Sequence, residues 1–335
     1  MSVQPKFCPH PDCPAHSQPP FLWRRKGFYR RRCDGRSVPR FQCLVCRRSF
    51  SAQSFRLDYR LQRPALTVAA FRLLVAKVTL RQAARTLGCN RKTVEHRLRL
   101  LGAHCREFQQ QLLRRAAARG GLRGLFQLDE LETFEHDRLL APVTVPVLIE
   151  SKSFFALHAT TAPLPARGNL TARDRKRKAA REAREGVRKS GSAEAVQRCW
   201  ERLSALAAPG EMVEVATDCK SQYRRQLAAT FGTRLLHYRA HSSEPRVRGS
   251  LLFPINLTLA MLRDGVSRLV RRNWGASKKR ERLELHQWIW IGYRNYVRAK
   301  TNTSRGVTPA MALGVLGERL SVVELLRQRI FPSAA

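Results

Sequence analysis

The chain has 335 residues, 43% of them hydrophobic, enough for a buried core and for two or three domains. Its 63 Lys+Arg against 25 Asp+Glu leave a net charge of +38, which points to a polyanionic partner, nucleic acid in preference to a membrane. No apolar run nears the ~20 residues of a transmembrane helix, and MSVQPKFCPHP lacks the apolar stretch of a signal peptide. Nine unevenly spaced cysteines suit reduced thiols or a metal site over disulfides, so a cytoplasmic, nucleoid-associated protein is expected.

Residues 1–60 carry Cys8 and Cys13, then Cys43 and Cys46 in RFQCLVCRRSF. Two cysteine pairs able to turn round one ion form a tetrahedral thiolate site for zinc. The flanks Pro39–Gln42 and Arg48–Phe50 read as hairpin arms, so the whole predicts a zinc ribbon that depends on its metal to fold. Cys33, His10 and His16 are alternative ligands, though a surface role suits each better. Arg24, Arg25, Arg30, Arg31 and Arg32 flank the site and are candidates for phosphate contact.

Residues 65–118 are helical by pattern. LRQAARTL, Gly88-Cys89 and NRKTVEHRLRLL predict a helix-turn-helix, with small Ala84 at the helix crossing and Gly88 in the turn. Asn90 is the expected N-cap, and Val94, Leu98 and Leu101 the buried stripe. Asn90, Arg91, Lys92, Glu95 and His96 then face outward, where a recognition helix meets DNA. An ordinary helical hairpin is the competing reading.

Strands are predicted at Gly124–Thr133, Val143–Glu150 and Phe154–Thr161, from β-branched and aromatic runs. Residues 163–192 are polar and strongly basic: a solvated helix or a loop, and a candidate phosphate-tracking arm. A helix with core-facing Trp200 follows over Ala193–Ala208, completing an insertion at 163–210. Then come a strand at Met212–Asp218, a helix at Ser221–Thr230 and a strand at Thr233–Arg239. A long helix is expected over Leu252–Arg272 and another over Lys279–Tyr293, with a C-terminal tail at 301–335. This element order over 122–300 is that of a ribonuclease-H-like α/β domain.

The apolar strand FQLDELETF carries Asp129-Glu130, the strand VEVATD ends on Asp218, and the helix INLTLAMLRDG carries Asn256 with Arg263 seven residues on. Together with the cysteine ribbon, the helical pair, and the SKK and YRNYVR segments, these motifs resemble the acidic-triad transposases of bacterial insertion sequences. That class shares the retroviral-integrase fold, and the resemblance covers nearly the whole chain. It implies that Asp129, Asp218 and Asn256 hold magnesium or manganese, with Arg263 on a DNA phosphate. It further implies binding of double-stranded element ends by a homo-oligomer, and metal-dependent strand cleavage and transfer. The third position is Asn where Glu is commonest, although some members of the class carry Asn there. An amide oxygen can coordinate the ion but brings no charge and cannot act as a base. Glu244 is the rival third ligand, and Glu130 has the alternative of pairing with an arginine. A DNA-binding regulator that has lost catalysis and a structure-selective nuclease of the same fold are the competing functions.

Overall fold

The computed structural model describes residues 4–241, 243–270, 275, 279–304 and 306–327. Near the N-terminus a three-stranded antiparallel sheet runs β1 (Trp23–Arg30), β2 (Ser37–Cys43) and β3 (Ser49–Ser51). The β2–β3 pair is the expected hairpin, with Phe41 opposite Phe50. Strand β1 was not legible: WRRKGFYR lies exposed along nearly its whole length, so no apolar alternation betrays it.

Three helices follow: α1 (Leu66–Val75), α2 (Leu80–Thr86) and α3 (Arg91–Ala118). Thr79 and Gln82 cap α2 reciprocally, and Asn90 caps α3 by accepting the Lys92 N–H at 2.8 Å. Gly88 supplies the positive φ of the turn between them. Val94, Leu98 and Leu101 are buried as the pattern predicts. The helix expected from NRKTVEHRLRLL does not end at Leu101 but runs on unbroken to Ala118, 28 residues in all.

A mixed six-stranded sheet forms the centre. It contains β4 (Leu125–Phe134), β5 (Pro142–Glu150), β6 (Phe155–Ala159), the short β7 (Ala162–Pro163), β8 (Val213–Asp218) and β9 (Leu235–Ala240). The order is β6-β5-β4-β8-β9, with β7 beside β5; β4 runs antiparallel to β5 and parallel to β8, which is parallel to β9. The basic segment forms α4 (Ala172–Glu185), a helix with no buried residue, started by Thr171 and laced by pairs such as Lys178–Glu182 and Arg181–Glu185. Next come α5 (Ser192–Ser204), with Trp200 fully buried, and α6 (Ser221–Phe231).

The last elements among the described residues are the helices α7 (Phe253–Gly265), α8 (Arg280–Tyr296), α9 (Pro309–Ala312) and α10 (Val322–Leu325). The expected helix to Arg272 stops short. Gly265 lies against Trp290, where a Cβ would sit 2.4 Å from the indole nitrogen, and Val266 turns extended with its side chain buried. Arg271, Arg272 and the end of the tail to Phe331 lie outside the described residues. One apolar cluster joins Phe71, Leu98 and Leu101 to Leu128, Phe155 and Trp200, so the core of the helical segment is continuous with that of the sheet. A second packs α7 and Trp288 against Val145 and Val147. Among the described residues no helix is long and apolar enough to cross a membrane.

Candidate metal and catalytic sites

Cys8, Cys13, Cys43 and Cys46 converge, with all four sulfurs within 4.8 Å of one another. Cys8 Sγ lies 3.8 Å from Cys46 Sγ, and Cys13 Sγ lies 3.9 Å from Cys43 Sγ. Four thiolates around one ion at the ~2.3 Å zinc–sulfur distance would stand about 3.8 Å apart, so the spacing fits a tetrahedral site. It is far too long for disulfides, and all four thiols are free. Burial drives Cys8 strongly upward in pKa. At Cys46 burial acts the same way, but the Arg48 N–H and guanidinium outweigh it and pull the thiol down to about 6. Cys33 lies exposed, accepting from Arg31 Nε, and is not in the cluster. His16 is not a ligand either: its Nδ1 meets the Cys8 carbonyl at 2.6 Å and braces the first cysteine turn.

The acidic residues meet at one end of the central sheet. Strands β4 and β8 pair in parallel register through Gln127 opposite Ala216. Two residues further along each strand stand Asp129 and Asp218, at the same level and on the same face. Asp129 Oδ1 accepts the Glu130 N–H at 2.7 Å, and Asp218 Oδ1 accepts the Lys220 N–H at 3.0 Å. Burial, reinforced by the negative field of Asp218, raises Asp129 to about 6 against the opposing Glu130 hydrogen bond and the Arg246 charge.

Helix α7 is docked by a residue that sequence reasoning passed over. Gln127 is 1% exposed; its Nε2 donates to the Leu251 carbonyl at 2.6 Å and its Oε1 accepts the Ile255 N–H at 3.0 Å. No side chain of α7's own caps its start, so Gln127 satisfies one of the orphan amides from the neighbouring strand. The clamp sits two residues before Asp129 on β4 and one before Asn256 on α7. Arg246 completes the cluster: its Nη1 donates to Asn256 Oδ1 at 3.4 Å while its charge acts on Asp129. Glu244 is engaged otherwise, its Oε1 accepting the His241 N–H at 2.7 Å in an exposed loop. Arg263, two turns along α7 from Asn256, lines an open cavity of about 820 Å³ with Glu130, Glu132, Arg138 and Arg167.

Glu130, the next residue on β4 after Asp129, projects to the other face of the sheet. It pairs with Lys220, not with an arginine, and accepts from Thr144, Ser192 and Tyr223 at 2.7–2.8 Å. Burial alone would raise its pKa, but Lys220 and the two hydroxyls of Ser192 and Tyr223 bring it below the usual glutamate value.

At the exposed start of α3, Asn90, Arg91, Lys92 and His96 face solvent. Glu95 does not stand free there: it bridges Arg91 at 3.5 Å and Arg282 of α8 at 3.3 Å. Comparisons with protein-family models and with curated proteins return no match for this chain.

Proposed function

We propose that this chain is a DNA transposase of the acidic-triad class, with a ribonuclease-H-like catalytic core, a zinc ribbon and a helix-turn-helix. The observation that carries the reading is that Asp129 and Asp218 follow two residues after the paired Gln127 and Ala216 of neighbouring parallel strands, while Gln127 binds α7 at Ile255, the residue before Asn256. An all-oxygen donor set of two carboxylates and an amide fits magnesium or manganese. A carboxylate raised to about 6 by burial and by a second carboxylate is one that a divalent cation would relieve. The bound ions would activate the attacking oxygen and stabilise the leaving oxygen of a phosphodiester. Asp129 and Asp218 supply the negative charge; Asn256 adds a neutral oxygen and takes no proton. On this reading Arg246, which donates to Asn256, and Arg263, two turns along α7, would hold the flanking phosphates of the strand. The four-cysteine cluster fits zinc, and the exposed Asn90, Arg91 and Lys92 at a helix N-terminus suit insertion into a major groove.

Movement of a marker flanked by the DNA that borders the gene tests the proposal. Asp129→Ala and Asn256→Ala should abolish movement, and Asn256→Glu tests whether a charged ligand serves in place of the amide. Tight binding of the flanking DNA without any movement by the wild type would favour a regulator that has lost catalysis.

A further inference from the structure

The backbone ladder joining β4 to β8 ends at Gln127–Ala216, two residues short of the aspartates. Each aspartate remains tied outward, Asp129 opposite Val147 on β5 and Asp218 opposite Ala240 on β9. At the level of the two carboxylates, therefore, no backbone pairing of β4 with β8 holds one strand to the other. Side chains do so instead. The Glu130 carboxylate, with its side chain 10% exposed, meets the Lys220 ammonium across the gap. The same two residues hold the aspartates through their backbone, since the Glu130 N–H donates to Asp129 and the Lys220 N–H to Asp218.

We propose that the Glu130–Lys220 ion pair is a positioning device that sets the distance and orientation between the Asp129 and Asp218 carboxylates. The inference rests on the metal-site reading above and adds residues that reading does not use. The pair is anchored from three sides. Thr144 donates from β5, Ser192 from the first residue of α5, and Tyr223 from α6, where its ring also lies 5.1 Å below the Lys220 ammonium. Glu130 thus has both oxygens committed and is not available as a ligand itself. Its place on the opposite face from Asp129 gives the same result. A carboxylate fixed by several donors holds its own backbone in register, and that backbone directs the Asp129 oxygen. Outer-shell partners of this kind change metal affinity by about 10- to 100-fold when removed.

Binding of Mn2+ to the full chain, followed by electron paramagnetic resonance, tests the proposal. Asp129→Asn provides the reference for loss of the site. Glu130→Gln, and the double variant Glu130→Gln/Lys220→Met, should each weaken Mn2+ binding by about 10- to 100-fold, with the protein still folded by circular dichroism. The double variant removes both charges together. A return to wild-type affinity there would assign the effect to net charge and overturn the inference. Unchanged affinity with only a lowered melting temperature would also overturn it, since a purely structural role predicts that result. If Glu130→Gln does not fold, Tyr223→Phe removes a single donor and should weaken binding in the same direction; no change would count against the pair. Equal Mn2+ binding by wild type and Asp129→Asn would instead refute the metal site, and the inference would fall with it.

Discussion

Removing the Gln127 clamp should loosen the start of α7 while leaving the sheet intact. Gln127→Leu keeps the volume of the side chain but deletes the acceptor for the Ile255 N–H and the donor to the Leu251 carbonyl. Ile255 is fully buried and its amide has no partner within α7, so the orphaned N–H would find no replacement cheaply. Each buried group left unpaired costs about 1–3 kcal/mol. Two such groups, one of them near the surface, give a loss of roughly 2–4 kcal/mol, a large part of a typical ~5–15 kcal/mol total. Hydrogen exchange followed by mass spectrometry reads this locally. Amides of the 253–265 segment should exchange about 30- to 1000-fold faster, at ~1.4 kcal/mol per tenfold, with β5 amides much less affected. Gln127→Glu should fall between, because it keeps the acceptor and sets an oxygen against the Leu251 carbonyl. Exchange in that segment within threefold of wild type for Gln127→Leu would refute the idea that β4 docks the helix through this residue.

Zinc removal by a strong chelator should abolish the tertiary signal of Trp23, which packs edge-on to Phe41 beside the cysteines, while the central sheet stays folded; Cys43→Ser should mimic it in near-ultraviolet circular dichroism. Gly102→Ala should destabilise the chain by about 1–3 kcal/mol in urea unfolding, because the new Cβ would lie 2.5 Å from the Leu285 carbonyl oxygen where α3 crosses α8. Asp129 gives a signed pH effect. Its folded pKa of about 6 lies above the ordinary 3.8, so the folded state holds the proton more tightly and metal-free stability falls as pH rises from about 4 to 6. The shift amounts to roughly 3 kcal/mol, and Asp129→Asn should recover a sizeable part of it at pH 7, with a smaller gain at pH 4. Lys92→Ala should weaken binding of cognate duplex in a gel-shift assay and lower the salt slope by about one; unchanged binding would reject α3 as the recognition helix.

The longer strands of the central sheet were legible, unlike β1 and β7, because their apolar runs end on turn residues and charges. VTVPVLIE is buried along its whole length, and VEVATD starts and stops within a residue of the observed β8. The four cysteines announced their cluster through spacing alone. What stayed hidden depends on contacts distant in sequence. Nothing in FQLDELETF marks Gln127 as the cap of a helix that begins over a hundred residues later. Glu130 and Asp129 look alike in the sequence, and only the alternation of β4 with the partners on each face separates a ligand candidate from a tied carboxylate. The overlong α7 had a similar cause: the apolar pattern continues past Gly265, but the Trp290 indole and the burial of Val266 end the helix there.

The unbroken α3 is a rod of fixed length. Its first turn carries Lys92, and 17 residues on Gln109 donates to the carbonyls of Ala156 and Leu157, at the edge strand β6 of the sheet. At 1.5 Å per residue that is about 26 Å of rigid rod, the rise of some seven or eight base pairs at ~3.4 Å each. Under the proposed function, with DNA seated on the start of α3, this rod would help set how far the recognised sequence stands from the bond to be cut, as a caliper does. Insertion of a few base pairs between the two should then stop cutting without weakening binding.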